Sequence, residues 1–394
     1  MTDLDVRVVT DRRLLTRPVA LLLLISFGSF VSFYLLLPVV PLYLATGGAG
    51  DAGAGSATAV MMGATVLAEL VLPGLLSRYG YRTVMVLGPL LLGGGTALLA
   101  ASPGLAAVLC ACAARGVGLA VVVVACPALI AELVPDGRRG EALGVYGLAV
   151  GIPAMAALPL GLWLSLRLGY GPVMVGGAVP ALLMLVLVPG LPARPGPAGS
   201  RVPLLEGLRG VGIIRPGVVF SATAVAAGVL LTFLPIAVPA RSRGVAAVAL
   251  LAHACAMPLA RWAAGRYGDR RGPAGLFVPS VLVAAAGMAG LVWLRSPYAV
   301  VAGAAVFGAG FGVAQNVSLA LMFERAPRPA FGRVSALWNL AYDGGMGIGA
   351  VGFGLLAGPA GYPVGFALTA ALVLAALGPA WREQRRERPV MSVR

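Results

Sequence analysis

The chain has 394 residues, 59% of them hydrophobic and only 11% charged, with a mean hydropathy of +0.95. A soluble domain is about a quarter charged, so this chain lacks the polar surface to cover a water-soluble globule, and a soluble enzyme is excluded. Its net charge of +15 comes from 29 arginines, with no lysine, against 14 acids. The arginines stand singly or in small groups between apolar runs, which points to membrane topology and away from a nucleic-acid surface.

Breaks at Gly/Pro clusters and arginines divide the chain into twelve apolar segments. The first six cover 18–44, 55–77, 82–101, 104–131, 141–164 and 171–191. The second six cover 216–238, 244–264, 273–294, 298–322, 332–356 and 361–381. A bilayer crossing takes about 20 apolar residues, so each segment is predicted to be a transmembrane helix. The first is too long for a signal-peptide core of about 7–15 residues and is read as a retained span. Between the sixth and seventh lies the longest connection, rich in Pro, Gly and Arg. It is read as a flexible linker, 192–215, between an N-terminal six-helix bundle, 1–191, and a C-terminal one, 216–394, with a short tail.

Placing both termini in the cytoplasm puts 24 of the 29 arginines on the cytoplasmic side and four, Arg167, Arg241, Arg243 and Arg295, outside. Arg115 alone is read as intramembrane, while Arg82, Arg261 and Arg333, within three residues of the cytoplasmic ends of their segments, are counted with the cytoplasmic side. This asymmetry is the positive-inside signature, and it predicts a multi-pass protein of the cell membrane with both ends cytoplasmic. The four cysteines lie within apolar runs and form no CxxC pair, as expected of small buried hydrophobes rather than a disulfide or metal set.

Ionisable side chains inside spans cost at least about 2.5–3.5 kcal/mol on insertion scales and are functional candidates by default. Four qualify in chain order: Glu69, Arg115, His253 and Asp343. Thr58, Met62, Thr65 and Glu69 are spaced to share one helix face. Asp343 lies mid-span in WNLAYDGGMGIGAVG, with Asn339 a turn before it and glycines that permit a close helix approach after it. Glu69 and Asp343 are the candidates for proton uptake, and Arg115 for pairing with either acid. The alternative for each is a static structural group. Gln315 and Asn316 are candidate cavity amides, because amides within a span need partners. Phe33 and Tyr34 are candidates for an aromatic wall and His253 for a cavity residue, each also compatible with core packing.

Sliding the chain over itself by 192 residues aligns the two halves without gaps from the second span onward. Arg78 falls on Arg270, Gly80 on Gly272, Gly116 on Gly308, Gly118 on Gly310, Glu132 on Glu324, Pro135 on Pro327 and Gly140 on Gly332. Two related six-helix halves is the parallel-repeat plan of a large class of secondary transporters.

With these residues the whole chain resembles the major facilitator superfamily, and in particular its bacterial drug and metabolite efflux members. That family carries G-x-x-x-D-R-x-G between its second and third helices and a looser copy between the eighth and ninth. Here the later copy is complete, with Gly265, Asp269, Arg270 and Gly272 in GRYGDRRG. The earlier copy, PGLLSRYG, keeps Arg78 and Gly80 but has Pro73 and Ser77 where the family has Gly and Asp. By resemblance these residues latch the cytoplasmic face when the carrier opens outward, and Ser77, which brings no charge, makes the first latch the weaker. The resemblance further implies an all-α protein of twelve transmembrane helices in two pseudo-symmetric six-helix bundles. It also places the second and eleventh helices side by side across the halves.

The function this implies is alternating-access transport, with proton-coupled efflux of a hydrophobic drug or secondary metabolite in first place. Movement of a small organic acid or a sugar by the same fold is the alternative, with Arg115 as the ligand of the acid. An intramembrane hydrolase finds no support: a single histidine excludes HExxH, and no pair of intramembrane GxGD-type acids is present. No cofactor or metal is expected. The expected partners are the bilayer, a small-molecule solute and protons, with the single chain as the working unit.

Overall fold

The computed structural model describes residues 15–101, 104–135, 138–194, 212–327 and 330–386. Most of the predicted linker and the end of the tail therefore lie outside the described residues. Those described are nearly all helical, and no strand occurs among them. The first predicted span is α1 (Arg17–Leu36) followed by α2 (Val39–Leu44). The interruption falls at Leu37–Pro38, where proline removes a backbone donor. The second and third spans form one run, α3 (Gly50–Ala101), folded back at Gly80, whose φ of 77° only glycine adopts without strain. Then come α4 (Leu105–Leu133), α5 (Arg139–Leu168) and α6 (Tyr170–Leu183), the last tightening into a 3-10 turn over Met184–Gly190.

The second half contains α7 (Ile214–Ala237), α8 (Arg243–Arg271), α9 (Phe277–Gly290) and α10 (Pro297–Glu324). It ends with α11 (Phe331–Ala360), α12 (Tyr362–Ala375) and α13 (Leu377–Arg386). Among the described residues nine stretches are long and apolar enough to cross a membrane. The first of these, Arg17–Ala101, contains three predicted spans, and α9 with the turn before it supplies a shorter one. The helices thus fit twelve crossings. One boundary differs in a way that matters: α8 continues seven residues past the predicted end at 264. Arg266, Arg270 and Arg271, beyond the predicted segment, are on the helix itself, as is Arg261, which lies inside that segment though counted with the cytoplasmic arginines.

The two halves repeat one another down to single contacts. Gly80 and Gly272 both have positive φ, 77° and 80°, and each turns the chain from one crossing into the next. A Cβ on Gly116 would collide with the carbonyl of Met61, and one on Gly308 with the carbonyl of His253. Gly118 lies against Gly88 and Leu92, and Gly310 against Ser280 and Ala284. Every partner in these pairs is displaced by the same 192 residues as the glycines. Backbone-to-backbone approach through small residues is the main source of helix association in lipid, where apolar side chains gain nothing over acyl chains. The repeat is therefore conserved within the molecule at the positions that set its helix packing.

The halves meet along α3 with α11 and along α5 with α8. On the α3–α11 seam Gly55 lies against the Ala350 carbonyl and Gly354, while Gly354 lies against the Asp51 carbonyl. Thr58 and Thr232 of α7 share a hydrogen bond of 3.0 Å, and Tyr362 donates one of 2.6 Å to Asp51. All of these contacts lie at the end of the molecule away from the Gly80 and Gly272 turns, and they close that end.

Candidate functional site

The seam also fixes what faces Glu69. The two helices run antiparallel, with Gly55 level with Gly354 and Met62 against Gly347. Continuing that register two turns along α3 brings Glu69 level with Asn339, and Asp343 one turn of α11 nearer the closed end. Asp343 is buried, 6% exposed, and Glu69 is the charged neighbour whose field acts on it. One carboxyl oxygen of Glu69, Oε1, is buried with no hydrogen-bond partner. The structure therefore brings Glu69, Asn339 and Asp343 together from opposite halves.

The predicted common face of Thr58, Met62, Thr65 and Glu69 is shared among three neighbours. Thr58 bonds α7, Met62 packs on α11, and the Thr65 hydroxyl donates to the carbonyls of Met61 and Gly116. A 100° step per residue leaves enough angular spread for one apolar stripe to meet several helices.

On the far side of the seam from Glu69 stands Arg261 of α8. Its Nη1 donates to Gln315 Oε1 of α10 at 3.2 Å, and Gln315 Nε2 points to the Met257 sulfur at 3.8 Å. Arg261 is exposed to solvent although it packs among α8, α10 and α11. Its electrostatic neighbours are the hydroxyls of Tyr34 on α1 and Tyr342 on α11, and Tyr34 in turn feels Asp343. Tyr34 of α1, Glu69 of α3, Arg261 of α8 and Asn339, Tyr342 and Asp343 of α11 thus address one central space, a cavity between the two halves.

Next to Arg261 lies a wall of near-parallel rings. Phe220, Phe311, Trp338 and Tyr342 stack on one another with centroids 4.4–6.2 Å apart and planes within 20°. Phe220 and Phe311 are fully buried, whereas Trp338 and Tyr342 are half-buried. Trp338 Nε1 donates to Ser318 Oγ at 3.0 Å, which fixes the ring edge-on to α10.

Several candidates lie elsewhere. Arg115, 1% exposed, is sealed inside the first bundle, where its Nη2 donates to the Ser32 carbonyl at 3.3 Å and its Nε has no partner. It pairs with neither Glu69 nor Asp343, which corrects the expected ion pair. His253 is packed between α8 and α10, stacked 5.7 Å from Phe307, and does not line the cavity. The Asn316 amide lies against Gly265 of α8, at the packing of α8 on α10. Phe33, 6% exposed, backs the Tyr34 ring at 4.8 Å and leaves only Tyr34 at the cavity.

The predicted latch residues sit at the two turns. Ser77 Oγ donates to its own helix at the Gly74 carbonyl, 2.9 Å away, and Arg78 lies over the Tyr79 ring at 5.3 Å. Pro73 is within α3, while Asp269 and Arg270 are exposed at the end of α8, one turn past Gly265 and just before Gly272. Arg78 and Arg270 make no ion pair among the described residues.

Arg261, Tyr342 and Trp338 were not predicted as site residues. The signal for Arg261 is in the repeat: it stands 192 residues after Glu69.

A twelve-crossing helical protein with two repeated halves, sealed at one end around a polar cavity, has the build of a solute carrier and not of an enzyme. The chain belongs to the Major Facilitator Superfamily, whose family model matches residues 22–350 and, separately, 242–392. Its fold is shared with a POT family transporter solved with a thioalcohol-conjugated peptide, at a TM-score of 0.80 and 14% identity over 94% of this chain and 96% of that one. The xylose transporter XylE from E. coli superposes with a TM-score of 0.75 at 16% identity, covering 93% of this chain and 98% of that one. The nucleoside transporter NupG gives 0.73 at 14% identity, covering 93% and 99%. The chain is thus a multi-pass membrane transporter for small molecules.

Proposed function

We propose that this transporter couples proton movement to the export of a hydrophobic drug or secondary metabolite. It would do so as a single chain in the cell membrane, with both termini and the arginine-bearing turns in the cytoplasm. Its moving bodies are the bundles 1–191 and 216–394, joined by 192–215. The observation that carries this reading is the placing of Glu69 and Asp343 on opposite halves of one seam, with a Glu69 oxygen left unpartnered.

Two carboxylates facing one another across a seam repel, and a single proton on the pair removes that repulsion. With the proton bound the seam closes without burying two charges. When the halves rock apart, the pair hydrates and releases it. The proton is thereby tied to the same motion that exposes the cavity, which is the requirement for coupling under alternating access. The arginine excess on one face supports the assigned orientation.

The test measures lumenal pH in proteoliposomes under an imposed proton gradient while candidate drugs and metabolites are added in turn. Asp343→Asn and Glu69→Gln are run beside the wild type. A compound that collapses the gradient in wild type but not in one acid variant establishes antiport and identifies the coupling acid. Labelled solute that equilibrates with no proton movement would overturn the coupling and return both acids to a structural role.

A further inference from the structure

Arg261 and the ring wall together restrict what the cavity accepts. The guanidinium has five N–H donors, of which Gln315 takes one, and no ion pair to Arg261 occurs among the described residues. Arginine keeps its charge under all physiological conditions. On the facing side the acids stand opposite each other, and one shared proton relieves their repulsion and leaves a single negative charge on the α3–α11 seam. The two charges stand on opposite sides, and the positive one, on α8, has no ion-pair partner among the described residues.

The wall continues from that charge. Phe311, Gln315 and Ser318 follow at four and three residues along one face of α10. Phe311 stacks on Phe220 and Tyr342, Gln315 holds Arg261, and Ser318 holds the Trp338 indole. A single helix face thus aligns a flat aromatic surface with the cation at its edge. Trp338 and Tyr342 stay half-buried although each is stacked on its other side. A further ring laid against them gains offset stacking over a large apolar area.

Resting on the transport reading above, we propose that the transported solute is a planar aromatic anion, its ring against Trp338 and Tyr342 and its negative group on Arg261. A carboxylate or comparable oxyanion fits the fork of the guanidinium. This moves the recognition of an organic acid from Arg115, which is sealed off, to Arg261.

Binding to the purified protein in detergent, measured by calorimetry, tests the class with four probes. They are 2-naphthoate, the neutral 2-naphthalenemethanol, the cationic 2-naphthylmethylammonium and the non-planar cyclohexanecarboxylate. Naphthoate is expected to bind at least about tenfold more tightly than each of the others, the factor carried by one hydrogen bond to a charged group. Arg261→Gln is expected to bring naphthoate down to the level of the alcohol and to leave the alcohol unchanged. Trp338→Leu is expected to weaken all three naphthyl compounds. Tightest binding of the ammonium, or naphthoate binding unaffected by Arg261→Gln, would overturn the proposal. The order of the four probes on wild type decides the class even if a variant does not fold. Failure of naphthoate to bind, while another compound moves protons in the proteoliposome assay, overturns the aromatic anion and leaves the carrier intact. Naphthoate binding without any proton flux overturns the coupling and leaves the solute class intact.

Discussion

Glu69 and Arg261 occupy the same place in the two repeats: each lies eleven residues before the positive-φ glycine, Gly80 or Gly272, that ends its crossing. One repeat position thus carries opposite charges on opposite sides of the cavity. The acid has a second acid, Asp343, across its seam, whereas the base has the Gln315 amide and the Tyr34 and Tyr342 hydroxyls beside it and no ion-pair partner among the described residues. The cavity is polarised by this difference, with a side that takes a proton and a side that keeps its charge.

Close packing within a bundle and across the seam has different consequences. A Cβ at Gly161 would collide with the Leu35 carbonyl inside the first bundle, and one at Gly55 with the Ala350 carbonyl across the seam. Gly161→Ala is expected to cost about 1–3 kcal/mol by overpacking, read as a fall in thermal unfolding temperature. Gly55→Ala is expected to spare the bundles and open the sealed end. Spin labels on α3 and α11 would then show a longer distance, and an unchanged distance would contradict the assignment.

The Thr58–Thr232 contact spans both halves at 3.0 Å. In a background with the four native cysteines replaced, Thr58→Cys with Thr232→Cys is expected to form a disulfide under mild oxidant. Proton flux should stop on oxidation and return on reduction. Flux that persists in the fully cross-linked protein would mean that this end never opens.

Glu383 of α13 is fully buried and pairs with Arg325, while Arg215 approaches it at 3.4 Å. Arg325 also donates to the Gly212 carbonyl at 2.6 Å, so the start of α7, the end of α10 and α13 are tied at one point. Removing one partner of a buried pair costs about 3–5 kcal/mol. Glu383→Gln should therefore melt well below wild type, and binding of 2-naphthoate below that temperature should be unchanged.

Tyr81, at the turn between the two arms of α3, donates to Glu132 at 2.5 Å. Burial first, then this bond and the Glu132 charge, holds its phenol above the ordinary value of 10.0. Below that pH the phenol is protonated folded and unfolded, and its contribution to stability is complete. Above it the unfolded chain releases the proton first, so stability falls as pH rises. Tyr81→Phe is expected to lose about 1.5–3 kcal/mol at neutral pH. It should also show a shallower loss of melting temperature between about pH 10 and 11 than wild type.

Much of the architecture was readable beforehand. Hydropathy marked the crossings because insertion depends on composition over about 20 residues. The offset of 192 predicted contacts as well as identities, since Gly116 and Gly118 and their counterparts meet equivalent partners. Asp343 and Glu69 stood out because charge in a span is costly, and they do share a seam. Arg115 and Arg261 are harder to tell apart: the first lies deep in an apolar run, while the second lies three residues from the cytoplasmic end of the predicted eighth span and is counted with the arginine cluster that follows it. The structure places Arg115 against Ser32 and Arg261 in the cavity.

The sequence by itself determined that this is a membrane protein of twelve crossings in two repeats, because apolar length, arginine punctuation and special glycines are local properties of the chain. Only the tertiary structure decided which side chains face the cavity. That depends on how each helix is rotated about its own axis, and the rotation is set by where small residues let two backbones touch. Gly55, Gly347 and Gly354 fix the rotation of α3 against α11, which puts Glu69 level with Asn339. Gly308 and Gly312 bring α10 against α8 at His253 and Met257, within a turn of Arg261, and so help to set Arg261 beside Gln315.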